Sequence, residues 1–251
     1  MQFSRPIVLS IAGLDPSGGA GLMADIKTFE LNKVYGLGIL SAQTLQTEKT
    51  FISIRWENFD DIRESIIHMF SHYKVHVVKI GLVQNISVLQ KIIAELITLD
   101  PGIRIVLDPV LRSSTNYRFW QVDIDKPMLK EVLKYVSLIT PNYPEIMELS
   151  PSTDEKQSAS LLSNYCPVLL KGGHNAEEPG VDYLYLNNRV VKIEPVCVSD
   201  FPKHGSGCVL SSAIASHLAL GNELEMACRK GKEFTERFLL SNQSLLGYHV
   251  Q

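Results

Sequence analysis

The stretch Ala12-Gly13-Leu14-Asp15-Pro16-Ser17-Gly18-Gly19-Ala20-Gly21 follows the apolar run Ile7–Ala12 and precedes Ala20–Val34, where Leu22, Ile26, Phe29 and Val34 recur at helical spacing. It reads as a glycine-rich turn from a first strand into a first helix. Glycines there let backbone approach a ligand closely and open a helix N-terminus toward it. From a strand ending at Ala12, the connection to Gly21 is longer than the usual two to six residues, which favours a binding loop over a bare turn. Gly19-x-Gly21-x-x-Ala24 matches a dinucleotide fingerprint by spacing. However, Asp15-Pro16 separates the glycines from the strand, and no Lys-Ser or Lys-Thr follows to make a Walker A loop.

Downstream the same alternation repeats. Leu37–Leu45, Phe51–Trp56, Val75–Ile80, Ile103–Leu107, Ser137–Thr140 and Val168–Lys171 read as strands. Ile62–Tyr73 and Ile86–Leu99 read as helices, and Ser152-x-x-Glu155 as a capping box opening a further helix to about Tyr165. Asp182–Leu186 and Val190–Glu194 flank Asn187-Asn188-Arg189 as a hairpin. Two helices, about Val209–Leu220 and Glu223–Leu240, follow. Strands apolar on both faces, alternating with helices, predict an α/β fold with a mostly parallel sheet flanked by helices. No linker, charge block or repeat divides the 251 residues, so a single domain over 1–251 is expected.

Composition narrows the function. Apolar residues make up 45% and charged residues 20%, and 24 Lys+Arg against 27 Asp+Glu leave a net charge of −3. That balance lacks the basic footprint of a nucleic-acid binder or of a polybasic membrane protein. No apolar run reaches the roughly 18 residues of a membrane span. Cys166, Cys197, Cys208 and Cys228 form no C-x-x-C pair, so neither a zinc site nor a disulfide scaffold is expected, and a reducing cytoplasm is. His68, His72 and His76 lie at i, i+4, i+8, yet read as a solvated helix face rather than as metal ligands. The charged last helix reads as solvated surface with i, i+4 pairs.

In open parallel sheets ligands bind beyond the carboxyl ends of the strands. Three more motifs stand there: Asp108-Pro109-Val110, Thr140-Pro141-Asn142-Tyr143-Pro144-Glu145, and His204-Gly205-Ser206-Gly207-Cys208. Asp108 and Glu145 are carboxylates of the kind that serve Mg²⁺ through its waters, or, with Asn142, simple turn caps before proline. Gly205 to Gly207 entering an apolar helix make an anion hole from unpaired N–H groups. At that N-terminus the thiol of Cys208 is expected to have a lowered pKa, unless it is merely a structural cysteine.

Together with Ala24-Asp25-Ile26-Lys27-Thr28, Lys79-Ile80-Gly81 and Lys171-Gly172-Gly173-His174, these motifs run in order along nearly the whole chain. The sequence resembles the ribokinase-like superfamily, and within it the hydroxymethylpyrimidine/phosphomethylpyrimidine kinases of thiamine biosynthesis. The resemblance implies ATP and Mg²⁺ as cofactors, a homodimer, and a pyrimidine acceptor that is phosphorylated twice. It places Gly13, Asp25, Gln46, Leu82, Val110 and Cys208 around the pyrimidine. Asn142, Lys171 and Gly173 would serve ATP phosphates, Asp108 and Glu145 the metal, and Gly205, Ser206 and Gly207 the transferring phosphoryl group. The chain departs from the family pattern where Lys203 stands for a threonine, Ser206 for another and Leu82 for a methionine, and the segment Cys197–Pro202 fits the pattern poorly. Where many ribokinase relatives carry aspartate this chain has Cys208, so the anion hole is expected to matter more than the thiol.

The alternatives are a pyridoxal/pyridoxine kinase of the same fold, a catalytically silent pyrimidine or nucleotide binder, and, on the glycine spacing alone, an NAD-dependent oxidoreductase. Gln46, at the carboxyl end of its strand, favours the pyrimidine. Its amide offers an acceptor beside a donor, the complement of a 4-aminopyrimidine edge.

Overall fold

Alternate residues of each central strand go to opposite helical layers. In the computed structural model, which describes residues 5–175, 177–199 and 201–250, strand β1 (Ile7–Leu14) sends Ile7, Leu9 and Ile11 to one side and Val8 to the other. Strand β4 (Val75–Ile80) divides Val78 and Ile80 from Val77, and β5 (Arg104–Leu107) divides Ile105 and Leu107 from Val106. This period of two, with both faces apolar, is what a doubly covered parallel sheet demands. One core lies under α2 (Phe59–His72), α3 (Ile86–Leu99) and α4 (Lys126–Leu133), with α5 (Tyr143–Leu149) and α6 (Glu155–Leu162) continuing that layer. The other lies under α1 (Gly21–Leu31), α7 (Ser206–Ala219) and α8 (Leu224–Leu240).

The sheet has nine strands in the order β3-β2-β1-β4-β5-β6-β7-β8-β9, with β2 (Tyr35–Gln46), β3 (Phe51–Trp56), β6 (Leu138–Ile139), β7 (Val168–Leu170), β8 (Asp182–Leu186) and β9 (Arg189–Ile193). From β2 to β7 all pairings are parallel; β3, β8 and β9 are antiparallel at the edges. The expected mostly parallel sheet is borne out. The chain reverses direction across the sheet beside β1, where β2 lies on one side and β4 on the other, which is where such sheets open a ligand crevice.

Several local expectations are corrected. Strand β1 runs on to Leu14, so the connection to α1 is Asp15–Ala20, six residues, within the usual range. Helices α4 and α5 were not expected; Pro127 and Pro144 stand near their starts. Both prolines occupy the first turn, where a missing N–H costs nothing. The cap of α6 is Asp154, whose carboxylate accepts the Gln157 N–H, and Ser152 instead bonds Ser158 Oγ. Helix α8 is not solvated all round: Lys232 and Glu236 are buried on its inner side. His68 and His72 share an exposed helix face, whereas His76 Nδ1 accepts the Ile7 N–H, and among the described residues no three His, Cys, Asp or Glu side chains form a metal cluster.

Candidate active site

The carboxyl ends of β1, β2, β4, β5, β6 and β7 frame a cavity of about 890 Å³ that extends to the loop after β9 and to α8. At one end stand Gly13, Gln46, Leu82, Val110 and Phe119. Glycine at position 13 leaves room for Leu82, whose Cδ2 would lie 2.8 Å from a Cβ there. Phe119 is held by Phe51 and Tyr117, so edge strand β3 closes this end with an aromatic cluster.

The middle is built for anions. No side chain caps α7, and while the Ser206 N–H donates to Lys203 O, Gly207 and Cys208 in the first turn line the cavity with the positive end of the helix dipole behind them. Gly205 is left-handed at φ 80°, and a Cβ on it would lie 2.0 Å from Gly19 O, so the turn is locked onto the β1–α1 loop. A Cβ on Gly207 would stand 3.3 Å from Lys171 Nζ and 3.8 Å from Asp108 Oδ2, which puts this ammonium and carboxylate at the mouth of the helix. Lys171 Nζ donates to Asp108 Oδ1 at 3.0 Å and lies 3.7 Å from Glu145 Oε2. Burial works against the charge on Asp108, but Lys171 and Lys79 overcome it and hold the carboxyl below its ordinary range. Glu145 goes the other way: burial, reinforced by the Asp108 charge, pushes it up to about 7. Asn142 and Glu145 form a capping box on α5, with Glu145 Oε2 accepting the Asn142 N–H at 2.8 Å. Glu145 is therefore a helix cap as well as a cavity wall. Gly173 lies on the same rim, with nothing within 4 Å of a Cβ on it.

Two expectations need correcting. Asp25 does not line the cavity. Its side chain is 0% exposed and takes Ser10 Oγ, Ser212 Oγ and both contacts of Lys79 Nζ, at 2.6 to 3.0 Å. It acts from behind, by anchoring Lys79, which does reach the cavity. The thiol of Cys208 is not acidified. Burial pushes it up to about 11, with the Lys79 charge opposing and the carboxylates of Asp25 and Asp108 adding.

Asp15, Lys79 and His204 stand in the motifs quoted from the sequence without a role assigned to them, and Lys232 lies on the helix expected to be a solvated surface; the structure joins all four to this network. His204 Nε2 meets Asp15 Oδ2 at 2.9 Å while its Nδ1 meets Ser114 Oγ at 3.1 Å, which joins three loops. Asp15 also accepts the Ser17 and Ala20 N–H groups, so the β1–α1 loop turns its donors inward rather than toward a dinucleotide. Burial opposes the Asp15 charge, but His204 and Ser17 hold its pKa down. Lys232 Nζ bonds Asp182 Oδ2 at 3.0 Å, and Glu236 Oε2 accepts the Val196 and Cys197 N–H groups, fixing the far end of the cavity. The sequence signal for Asp15, Lys79 and His204 was their membership of those motifs, and for Lys232 there was none.

The cavity thus has an aromatic-walled end, a middle lined by the start of α7 with Lys171 and Asp108, and a far end at α8, on a ribokinase-like sheet. The comparisons agree. A model of the family described as phosphomethylpyrimidine kinase matches residues 15–250. The chain is 30% identical over 252 residues to the hydroxymethylpyrimidine/phosphomethylpyrimidine kinase of Aquifex aeolicus, covering 97% of this chain and 98% of that one. It is similar to the crystal structure of a phosphomethylpyrimidine kinase from Clostridium difficile, with TM-score 0.76, 30% identity, and coverage of 94% and 98%. The pyridoxal kinase of Staphylococcus aureus in complex with ADP superposes with TM-score 0.83 at 22% identity, over 95% of this chain and 89% of that one, a likeness of fold. The chain belongs to the phosphomethylpyrimidine kinase family.

Proposed function

We propose that this kinase transfers the γ-phosphoryl group of ATP to the hydroxymethyl oxygen of 4-amino-5-hydroxymethyl-2-methylpyrimidine, and then a second one to the phosphate of that product. The observation that carries the reading is the placement of Gly207, Lys171 and Asp108 at one point, between an acceptor end bearing Gln46 and a far end long enough for a nucleotide. In the first step the acceptor oxygen forms a bond to phosphorus, the bond to the β,γ-bridging oxygen breaks, and ADP leaves with the electron pair. The N–H groups of α7 and the Lys171 ammonium stabilise the charge on the transferring group. Cys208, neutral at physiological pH, is not the base, so the hydroxyl proton passes to solvent or phosphate. The second acceptor is already an ionised phosphate and needs no base.

Mg²⁺ fits this site in one particular way. Asp108 and Glu145 offer oxygen donors, but no third acidic group joins them among the described residues, and Lys171 lies between them. Such a pair suits a cation that keeps its waters and is bound mainly by phosphates. Held there by Asp108 and Glu145, it would supply positive charge that neutralises charge developing on the phosphates. The four cysteines are free, in keeping with a reducing cytoplasm, and a homodimer is proposed from the family resemblance; sedimentation as a monomer at micromolar concentration would remove it.

The test is ATP consumption with the pyrimidine, its monophosphate, or pyridoxal as acceptor. Turnover of the first two supports the reading, and turnover of pyridoxal alone transfers it to that vitamin. Gln46 decides between these acceptors, because pyridoxal has no exocyclic amine to match its amide. Gln46→Met should lower the ratio of pyrimidine to pyridoxal kcat/KM by about tenfold or more, at least ~1.4 kcal/mol. An unchanged ratio removes Gln46 from the acceptor site.

A further inference from the structure

Residues 241–250 fold back from the end of α8 across the base of the anion hole. The segment is tied to itself: Asn242 Oδ1 accepts the Ser244 N–H at 2.8 Å, and Asn242 Nδ2 donates to Leu246 O at 3.0 Å. It is tied to α8 as well, since the Tyr248 N–H donates to Ser241 Oγ at 2.8 Å and the His249 ring lies 4.9 Å from that of Phe238. It also reaches α1, where the His249 ring bonds the Ala24 backbone, and it reaches the residues just before Gly205. Lys203, only 6% exposed, donates from Nζ to Asn242 O at 2.5 Å and Ser244 O at 2.7 Å. The His204 N–H donates to Leu245 O at 2.9 Å. Leu246 packs on the β1–α1 loop, its Cδ2 2.7 Å from where a Cβ of Gly19 would be.

An ammonium carries three donors on a flexible stem and can satisfy two carbonyl oxygens at once. Among the described residues no other hydrogen bond reaches those two carbonyls. We propose that Lys203 is a positioning residue for phosphoryl transfer. Its ammonium clamps the segment 241–250 against Lys203-His204, and the clamp fixes the direction in which the N–H groups after Gly205 point. The proposal rests on the kinase reading for its consequence, but not for its geometry. Transition-state stabilisation by fixed N–H donors depends on their being aimed before the charge develops, so loosening their base should lower kcat rather than acceptor affinity.

The experiment compares Lys203→Met and Lys203→Arg with the wild type in steady-state turnover and in amide hydrogen exchange of the peptide spanning 203–208. Lys203→Met should lower kcat about tenfold with acceptor KM within about twofold, and Lys203→Arg should recover most of that loss. Exchange across 203–208 should accelerate about tenfold or more in Lys203→Met while the exchange of β1 and β4 is unchanged. Asn242→Ala, which unties the strap without touching Lys203, should act in the same direction and less than additively with Lys203→Met. Unchanged exchange, unchanged kcat, a loss confined to KM, or full additivity would each overturn the proposal. A wild type inert toward every acceptor defeats the kinase reading instead, and the exchange measurement still decides whether Lys203 holds the loop.

Discussion

Cys208 sits where two physical tendencies oppose. The positive end of α7 favours a thiolate, but the site is buried and carries Asp25 and Asp108 nearby, and desolvation wins, at about 11. A pH–rate profile should therefore show no limb from Cys208 between pH 6 and about 9, and Cys208→Ser should retain turnover within about tenfold of wild type. Loss of both phosphorylations in that variant, with acceptor affinity intact, would restore a role for the thiol in the reaction. Glu145 shows burial acting on an acid. Its carboxyl ordinarily titrates at 4.5 and here near 7, so the folded protein binds a proton that the unfolded chain has released. Its contribution to stability is full below about pH 4.5 and is lost as pH rises through 7. His217 and His249, both pushed down to about 4 by burial, act in the opposite sense over the same interval, so the comparison must be with a variant. Glu145→Gln should gain thermal stability relative to wild type as pH goes from 5 to 7.5. A difference that does not change with pH would mean the carboxylate is already charged at pH 5. None of this was readable from sequence. Asp15 and His204 lie 189 positions apart, and Lys79 and Asp25 lie 54 apart, so only the folded sheet brings each pair together.

The elements were legible where the chain's apolar period was uninterrupted. Phe51–Trp56, Val75–Ile80 and Ile86–Leu99 have the bounds that their periodicity predicts. Helices α4 and α5 were hidden because they are short, 8 and 7 residues, and too brief to show a long apolar period. Helix α7 begins at Ser206 rather than Val209, because glycine propensity argues against helix while Gly207 in fact leaves room for Lys171 and Asp108. The turn before α7 makes a sharp test. Gly205 and Gly221 are both left-handed, at φ 80° and 86°, but a Cβ on Gly205 strikes Gly19 O at 2.0 Å and one on Gly221 meets nothing within 4 Å. Gly221→Ala should cost only the conformational penalty, about 1–2 kcal/mol, and leave turnover unchanged. Gly205→Ala must displace either the β1–α1 loop or the N-terminus of α7. It should cost more than about 2 kcal/mol in denaturant unfolding and lower kcat about a hundredfold. Equal effects at the two glycines would mean that backbone conformation, not the contact with Gly19, is what this turn requires.

At the scale of the molecule, the sheet is thin in the middle. Strands β5 and β6 share two residue pairs, Val106↔Leu138 and Leu107↔Ile139, and β6 meets β7 through Ile139↔Val168, with one more bridge, Asn142↔Lys171, just beyond the strand ends. Backbone pairing by itself would let the sheet part there into two units. Side-chain packing runs against that division. Helix α7, late in the chain, packs on β1, β4 and β5 and on α1, and the core beneath it joins Val8, Val77 and Val106 to Leu138, Leu169 and Leu184 through Leu210 and Ile214. The cavity likewise takes Gly13 and Gln46 from one side and Lys171 and Cys208 from the other. Unfolding one part would strip apolar cover from the other, so the expectation of a single unit over 1–251 becomes a measurable one. Calorimetry should give one transition whose van't Hoff and calorimetric enthalpies agree. A non-hydrolysable ATP analogue should raise the midpoint of that whole transition, because it binds only where both parts are folded. Two resolved transitions, or an analogue that moves only part of the heat absorption, would show that the weak β5–β6–β7 pairing governs cooperativity and that α7 does not bridge it.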